Sequence, residues 1–228
     1  DVLRRGQNAH AKHAVPKNQS PEDYSRATGY PKGDITAAWE TMRLTEERGT
    51  LLMCDEVQTG VFRCGTPFAF QRFGIVPDVV TIAKGVASGM PAGMCAARAD
   101  VAASFAPGDH GSTFGGSNLA MAAAHATLAT LTRGHYDDRV TEVGDYFAEK
   151  LGKVEGVTEV RGMGLMLGAD LEEGIDAHKV VAKGLDEGFL LNATGKNTLR
   201  FLPPLICTEA EVDKLMDALP GIIADVRE

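Results

Sequence analysis

The chain has 228 residues, of which 44% are hydrophobic and 24% are charged, so its composition is that of a globular protein with one large domain or two small ones. Its formal net charge is -8 and its lysines and arginines are scattered, which argues against binding to nucleic acid or to an anionic membrane. The four cysteines form no CxxC pair, no run is long enough to span a membrane, and no apolar signal core opens the chain. We therefore expect a cytoplasmic protein without a metal site.

The amino-terminal segment, residues 1–33, is polar and shows little periodicity. This composition predicts an irregular or poorly ordered stretch. A helix is predicted to begin at Asp34, because four apolar residues between Ile35 and Met42 fall at helical spacing.

Two short apolar runs that follow each end on one charged residue. Residues 51–54 lead to Asp55, and residues 79–83 lead to Lys84. A buried strand whose last position is charged usually presents that charge to a site, although a turn role for Asp55 and a solvated strand end for Lys84 are the simpler alternatives. A lysine amine can form a Schiff base with the aldehyde of pyridoxal phosphate, and a carboxylate can keep its pyridine nitrogen protonated. The pair therefore suits an enzyme that uses this cofactor.

The rest of the chain predicts a short strand near 94–97, a turn of small residues at 110–116, and an alanine-rich helix over 118–133 that Gly134 ends. A domain boundary is expected there. The remainder predicts a smaller α/β unit with helices, strands and a capping box at the start of the last helix. These elements are helices at about 137–152 and 175–187, strands at 157–160, 165–170 and 198–202, and a helix after Thr208.

Four motifs, in order, resemble class III aminotransferases, which are fold-type I pyridoxal phosphate enzymes, and within them the acetylornithine group. The motifs are DEVQTG at 55–60, PDVVTIAKG at 77–85, HGSTFGG at 110–116 and LRFLPPL at 199–205. The resemblance implies a partial α/β fold of this type. Part of the large domain, with a mainly parallel sheet and helices, would occupy 34–134, and a small carboxyl-terminal α/β domain would occupy 135–228. Residues 1–33 remain unassigned.

The resemblance implies that Lys84 bonds covalently to pyridoxal phosphate and that Asp55 contacts its pyridine nitrogen, which makes both catalytic. Val57 would pack on the cofactor ring, and Gln58 would lie near its phenolic oxygen. Glu56 belongs to the same cofactor-binding motif. Alternation along a strand points its side chain to the other face, where a structural role is expected.

Three further residues have implied roles outside that motif. Thr113 resembles a residue that reaches the phosphate of the neighbouring subunit's cofactor, so the resemblance implies a homodimer. Ser112 would lie near the substrate. Arg200 resembles the arginine that binds the substrate's α-carboxylate, and a planar guanidinium suits that task because it can donate two parallel hydrogen bonds. A surface ion pair is the alternative for Arg200.

Members of this family also carry, further upstream, a phosphate-binding loop, an aromatic residue that stacks on the ring and a second arginine, none of which is found in this chain. Three hypotheses follow. The first is transamination between N-acetylornithine and 2-oxoglutarate in arginine biosynthesis, with ornithine or 4-aminobutyrate as alternative substrates. The second is a non-catalytic fragment or a subunit of a split assembly. The third is a related reaction, such as that of an aminomutase or decarboxylase.

Overall fold

A computed structural model describes residues 19–227, so residues 1–18 of the unassigned segment lie outside the described part of the chain. The described α-helices are α1 (Pro21–Thr28), α2 (Lys32–Glu47), α3 (Ala99–Ala102), α4 (Asn118–Arg133), α5 (Tyr136–Leu151), α6 (Ala177–Asp186) and α7 (Glu209–Arg227). The described strands are β1 (Met53–Asp55), β2 (Val79–Ile82), β3 (Met94–Ala97), β4 (Val157–Met163), β5 (Met166–Leu171), β6 (Ala193–Thr194) and β7 (Thr198–Phe201). No helix in this range is both long enough and apolar enough to cross a membrane.

The chain divides into two compact units. The first runs to Phe62 and continues over Thr66–His135, and the second comprises Arg63–Gly65 and the chain from Tyr136 onward. The three-residue segment Arg63–Gly65 therefore belongs to a unit whose other residues lie more than seventy positions further along the chain.

Helix α1 corrects the prediction that all of residues 1–33 are irregular. The Ser20 side chain accepts a hydrogen bond from the backbone N–H of Asp23 at 3.1 Å, and proline occupies the first helical turn. Gly29 ends the helix at a φ of 75°, in the left-handed region that glycine adopts without strain. Only Tyr24 of this helix is buried. The cap residues therefore set the bounds of this helix. Its few apolar residues show almost no helical periodicity from which it could be predicted.

The first unit contains a three-stranded sheet in the order β1-β2-β3, with β1 parallel to β2 and β2 antiparallel to β3. Side chains alternate between its two faces. One face, here called the open face, carries residues that are exposed except for the half-buried Val79: Met53, Asp55, Val79, Thr81, Cys95 and Ala97. The other face carries half-buried residues and the buried Ile82: Cys54, Val80, Ile82, Met94 and Ala96.

The second unit contains an antiparallel sheet in the order β4-β5-β7-β6. Burial alternates along β5, so Leu167, Ala169 and Leu171 face the core. Helices α5, α6 and α7 contribute buried residues to the same core cluster. Phe147 of α5 meets Phe201 of β7 edge to face, with ring centroids 5.1 Å apart, a favoured arrangement for aromatic pairs.

The segment Arg63–Gly65 packs closely against the rest of the second unit. The backbone N–H of Leu165 donates to the carbonyl of Arg63 at 3.0 Å. A Cβ on Gly164 would lie 2.7 Å from the segment's backbone, and a Cβ on Gly144 of α5 would overlap the carbonyl oxygen of Gly164. Helix, turn and segment thus approach one another at distances that only glycine permits.

Candidate active site

Asp55, the last residue of β1, has its carboxylate held in one orientation. Its Oδ1 accepts hydrogen bonds from the backbone N–H of Val57 at 2.9 Å and from Oγ1 of Thr81 at 3.0 Å. Thr81 lies beside Asp55 in the register of the parallel β1–β2 pair. Among the residues the structure describes, Oδ2 has no partner, so this oxygen is free to accept a hydrogen bond from a ligand.

Lys84 lies two residues beyond β2 and begins a 3-10 turn, Lys84–Ala87. Its φ is 49°, in the left-handed region, which costs a residue other than glycine about 1 kcal/mol or more. The side chain is exposed, and within the described range it makes neither an ion pair nor a hydrogen bond. A strained backbone that presents an unpaired amine is an arrangement found at functional sites.

Helix α4 supports the turn that carries Lys84. Val86 and Ala87 within the turn are buried. Oγ1 of Thr127 on α4 donates to Oγ of Ser88 at 3.0 Å. The exposed Lys84 is therefore backed by a fixed element rather than placed on a loose loop.

Glu56 shows the structural role expected of the residue that alternates with Asp55. It is only 3% exposed. Its Oε2 accepts from Oγ1 of Thr59 at 2.6 Å and from the backbone N–H of Ala69 at 3.0 Å, and its Oε1 accepts from the N–H of Phe70 at 2.9 Å. Both oxygens hold the loop that follows β1. The assignment of Glu56 to the cofactor-binding residues stays a prediction.

The remaining predicted residues of the first unit lie in two loops. Val57 and Gln58 are half-buried in the turn that directly follows Asp55. Ser112 and Thr113 are exposed in the small-residue turn before α4, where the N–H of Gly115 donates to the carbonyl of Ser112 at 3.2 Å. All four side chains lie at or near the surface. The roles that the family resemblance implies for them stay predictions.

Arg200 lies in the second unit, on β7. Its Nε donates to Oδ1 of Asn192 at 3.0 Å, and its backbone N–H donates to the carbonyl of Asn192 at 2.8 Å. Among the described residues it takes part in no ion pair, so its alternative role as a surface ion-pair partner is not observed. The fixed Nε leaves the terminal nitrogens Nη1 and Nη2 available for a carboxylate.

Two polar residues near these sites were not singled out from the sequence. Thr81 is a lone threonine in an apolar strand. This indicates a polar contact only when that strand is aligned beside the one carrying Asp55. Arg63 is a single cation in a loop of small and apolar residues, which indicates a buried polar role less clearly than the position of Thr81 does. Its Nη1 donates to the carbonyls of Leu165 at 3.0 Å and Pro203 at 2.5 Å. Pro203 lies three residues beyond Arg200, so Arg63 fixes the strand end that carries the predicted substrate arginine.

The sequence of this chain is similar to one protein family and to several of its members. The family model described as aminotransferase class-III matches residues 36–223. The acetylornithine aminotransferase of Caldanaerobacter subterraneus subsp. tengcongensis is 42% identical over 191 residues, which cover 81% of this chain and 48% of that protein. The acetylornithine aminotransferase of Methanocaldococcus jannaschii is 41% identical over 189 residues, covering 81% of this chain and 47% of that protein.

Solved structures give the same result. The acetylornithine aminotransferase of Elizabethkingia anophelis aligns with a TM-score of 0.76 and 28% identity, over 82% of this chain and 51% of that one. The ornithine aminotransferase of Toxoplasma gondii aligns with a TM-score of 0.75 and 33% identity, over 81% of this chain and 45% of that one. The predicted fold class, a partial aminotransferase α/β fold, is confirmed. The chain spans about half the length of the curated relatives it matches.

Proposed function

The chain belongs to the class III aminotransferase family, and from this premise we propose that the protein transfers an amino group between an amino acid and a 2-oxo acid. One observation carries the proposal. In the first unit, the adjacent parallel strands β1 and β2 lead to an oriented carboxylate on Asp55 and to an unpaired amine on Lys84. The chain spans about half the length of its relatives. The activity of the whole protein is therefore proposed together with the roles of these residues.

Class III aminotransferases depend on pyridoxal phosphate. The residues described here fit that cofactor at two of its groups. The amine of Lys84 is not committed to any other described side chain, and Oδ2 of Asp55 is an open acceptor. When bound, the cofactor supplies an electron sink for the negative charge that develops on the substrate's Cα.

Asp55 and Lys84 would divide the work at this site. The Asp55 carboxylate would accept a charge-assisted hydrogen bond from the protonated ring nitrogen, worth about 1.5–3 kcal/mol, while Thr81 and Val57 keep it in place. Nζ of Lys84 would act as the base that moves a proton away from the substrate's Cα.

Arg200 would bind the substrate's α-carboxylate through Nη1 and Nη2, since Nε is already held by Asn192. N-acetylornithine, with 2-oxoglutarate as amino acceptor in arginine biosynthesis, is the proposed substrate pair. The relatives named above that are 41–42% identical support it. Ornithine is the second candidate, supported by the ornithine aminotransferase whose structure aligns at 33% identity.

A homodimer in the cytoplasm completes the proposal. Thr113 is exposed in its loop, as a residue that reaches a partner subunit's site must be in a single chain. No disulfide links the four cysteines, which suits a reducing compartment.

Spectroscopy of the purified chain with added pyridoxal phosphate tests the proposed function. Lysine-bound cofactor gives a visible absorbance band that borohydride abolishes, and we expect that band in the native chain. Lys84→Ala should remove the band completely, whereas Lys214→Ala, at an exposed lysine of α7, should retain it. An unchanged spectrum for Lys84→Ala would contradict the assignment of Lys84.

The half-reaction then identifies the substrate. N-acetylornithine, ornithine and glutamate are each added without an amino acceptor, and conversion of the cofactor to its amine form is followed by its shift in absorbance. We expect conversion by glutamate and more efficient conversion by N-acetylornithine than by ornithine. A visible band without conversion by any of the three would exclude transamination and favour another pyridoxal phosphate reaction. The absence of a band would favour a non-catalytic role.

A further inference from the structure

Arg200, the proposed substrate arginine, has an acidic neighbour on its own face of the second sheet. Burial alternates along β5, so Gly168 and Asp170 lie on the face turned away from the core. Gly168 is directly opposite Arg200 in the β5–β7 pair, and Asp170 is opposite Thr198. Asp170 and Arg200 are therefore diagonal neighbours on one face, with Cα atoms about 7–8 Å apart, which is within the reach of a long side chain.

A pair between these two residues would compete with the substrate. Gly168, which lies beside both, carries no side chain that could separate them. A guanidinium and a carboxylate within reach of each other form bidentate hydrogen bonds. Such a pair would occupy Nη1 and Nη2 of Arg200, the two nitrogens that the substrate's α-carboxylate requires.

Asp170 is instead held by two other side chains. Nη1 of Arg161 donates to its Oδ2 at 2.5 Å, and Nη2 of Arg161 donates to its Oδ1 at 2.9 Å. Oγ1 of Thr198 donates to the same Oδ1 at 2.5 Å. Arg161 lies on β4, which flanks β5 on the side opposite β7, so it draws the carboxylate away from Arg200. Both carboxylate oxygens have partners, and Arg200 is not among them.

The guanidinium of Arg200 is held on the other side of β7. Asn192 directly precedes β6, and β6 flanks β7 on the side opposite β5. Nε of Arg200 donates to Oδ1 of Asn192 at 3.0 Å. Asn192 is uncharged, so it orients the guanidinium without neutralising it. The acid is thus held toward β4 and the cation toward β6.

We propose that Arg161 is a positioning residue for the substrate arginine. By binding Asp170, it keeps this carboxylate from pairing with Arg200, so that Nη1 and Nη2 remain available to the substrate's α-carboxylate. Without Arg161, the apparent affinity for the substrate would fall in proportion to the fraction of molecules in which Arg200 is unpaired. This inference rests on the proposed function, because it takes Arg200 to be the residue that binds the substrate.

NMR of the chain without cofactor tests the pairing itself. Hydrogen exchange of the Arg200 side-chain N–H groups is compared in the native chain, in Arg161→Ala and in the double variant Arg161→Ala/Asp170→Ala. We expect exchange at Nη1 and Nη2 to slow about tenfold in Arg161→Ala, because a bidentate pair with Asp170 protects both nitrogens. The double variant should exchange at the native rate. Unchanged exchange in Arg161→Ala would overturn the proposal.

The half-reaction with N-acetylornithine tests the consequence for the substrate. In the chain loaded with pyridoxal phosphate, Arg161→Ala should raise the half-saturating concentration about tenfold if Asp170 occupies Arg200 in about nine molecules of ten. The saturating rate should change by less than about twofold, since the competition acts on binding alone. The double variant should restore the native half-saturating concentration.

Lys183→Ala is the matched control, because it breaks an ion pair with Asp225 that joins helices α6 and α7 and does not involve the sheet. It should leave both kinetic parameters and the exchange at Arg200 unchanged.

The two measurements distinguish this proposal from the proposed function. A fall in the saturating rate that the double variant does not restore would give Arg161 a merely structural role and would overturn the proposal. An unchanged half-saturating concentration in Arg161→Ala would overturn it as well. Absence of the half-reaction in the native chain would contradict the proposed function, whereas the exchange rates would still decide whether Arg161 keeps Asp170 from Arg200.

Discussion

Arg63 carries a positive charge into a partly buried position, where it holds two backbone carbonyls of the second unit. Burial lowers the pKa of its guanidinium, which reflects the cost of keeping the charge out of water. Arg63→Ala would leave the carbonyls of Leu165 and Pro203 without this donor. We expect a loss of about 2–4 kcal/mol in the free energy of unfolding, measured by urea denaturation.

Arg48→Ala is the control for this experiment, because Arg48 is exposed and forms no ion pair among the described residues. It should change the free energy of unfolding by less than about 0.5 kcal/mol. Equal effects of the two substitutions would show that the Arg63 contacts do not stabilise the second unit.

Asp170 links three strands on the exposed side of the second sheet. Nη1 of Arg161 donates to its Oδ2 at 2.5 Å, and Nη2 of Arg161 and Oγ1 of Thr198 donate to its Oδ1 at 2.9 Å and 2.5 Å. The hydrogen bonds from Arg161, and then that from Thr198, hold the pKa of the Asp170 carboxyl below its ordinary value of 3.8. The charged form is therefore the one that the folded state favours.

This shift gives a pH-dependent stability of defined sign. Since the folded pKa lies below the unfolded one, the stabilisation is fully present above pH 3.8 and is lost as the pH falls through the folded pKa. Urea midpoints of the native chain and of Asp170→Asn should differ at neutral pH and converge under acid conditions. Asp145→Asn, at an exposed carboxylate on α5, should leave the urea midpoint at neutral pH close to that of the native chain. A difference that persists unchanged in acid would exclude ionisation as its cause.

At the residue scale, the sequence predicted the charged residues that end apolar runs but not the polar residues that contact them. Asp55 and Lys84 stand out because a strand ends on each. Thr81 contacts Asp55 only through the register of β1 and β2, and Arg63 meets Pro203 across 140 positions of sequence. Such partners depend on tertiary pairing, which local pattern does not specify.

At the element scale, α5 and α7 each contain one glycine. Replacing it by alanine should change the stability of the protein in opposite directions in the two helices. Alanine favours a helix by about 0.5–1 kcal/mol over glycine. At Gly221 of α7, a Cβ would meet nothing within 4 Å, so Gly221→Ala should stabilise the protein by about that amount. At Gly144, a Cβ would overlap the carbonyl oxygen of Gly164, so Gly144→Ala should destabilise it by about 2 kcal/mol.

Thermal unfolding of both variants measures the two effects. The pair is informative because helix propensity alone predicts the same sign for each. A stabilising Gly144→Ala would show that the turn at Gly164 can move away from α5, contrary to the close packing described above.

Elements with strong periodicity or a clear cap were well predicted. The helix expected over 118–133 is found as α4 with the same bounds, and the helix after the Thr208 capping box is α7. α1 was not predicted, because a polar eight-residue helix with one buried residue gives no periodic signal. Its N-cap serine and its proline are local signals of a helix start. The polar composition of the segment nevertheless favoured the prediction of an irregular stretch.

At the scale of the whole molecule, a large cluster of buried apolar residues lies in the second unit, whereas the first unit buries its apolar residues mostly outside its strands, as at Val86 and Ala120. The sheet of the first unit has a single buried strand residue, Ile82. Because local opening is easiest where few apolar groups are buried, amides of β2 should exchange at least about tenfold faster than those of β5. Hydrogen exchange of the native chain checks this ratio, and equal protection of the two strands would contradict it.

The assignment of Arg63–Gly65 to the second unit has a consequence for how the two units can be inherited. A protein module can be exchanged between genes only if one continuous stretch of coding sequence specifies it. A breakpoint between His135 and Tyr136 would transfer α5 and the second sheet but leave behind the three residues that pack on Gly164. The recipient would lack the guanidinium that Leu165 and Pro203 accept from. A recombinant made at that point would therefore carry the second unit in a less stable form.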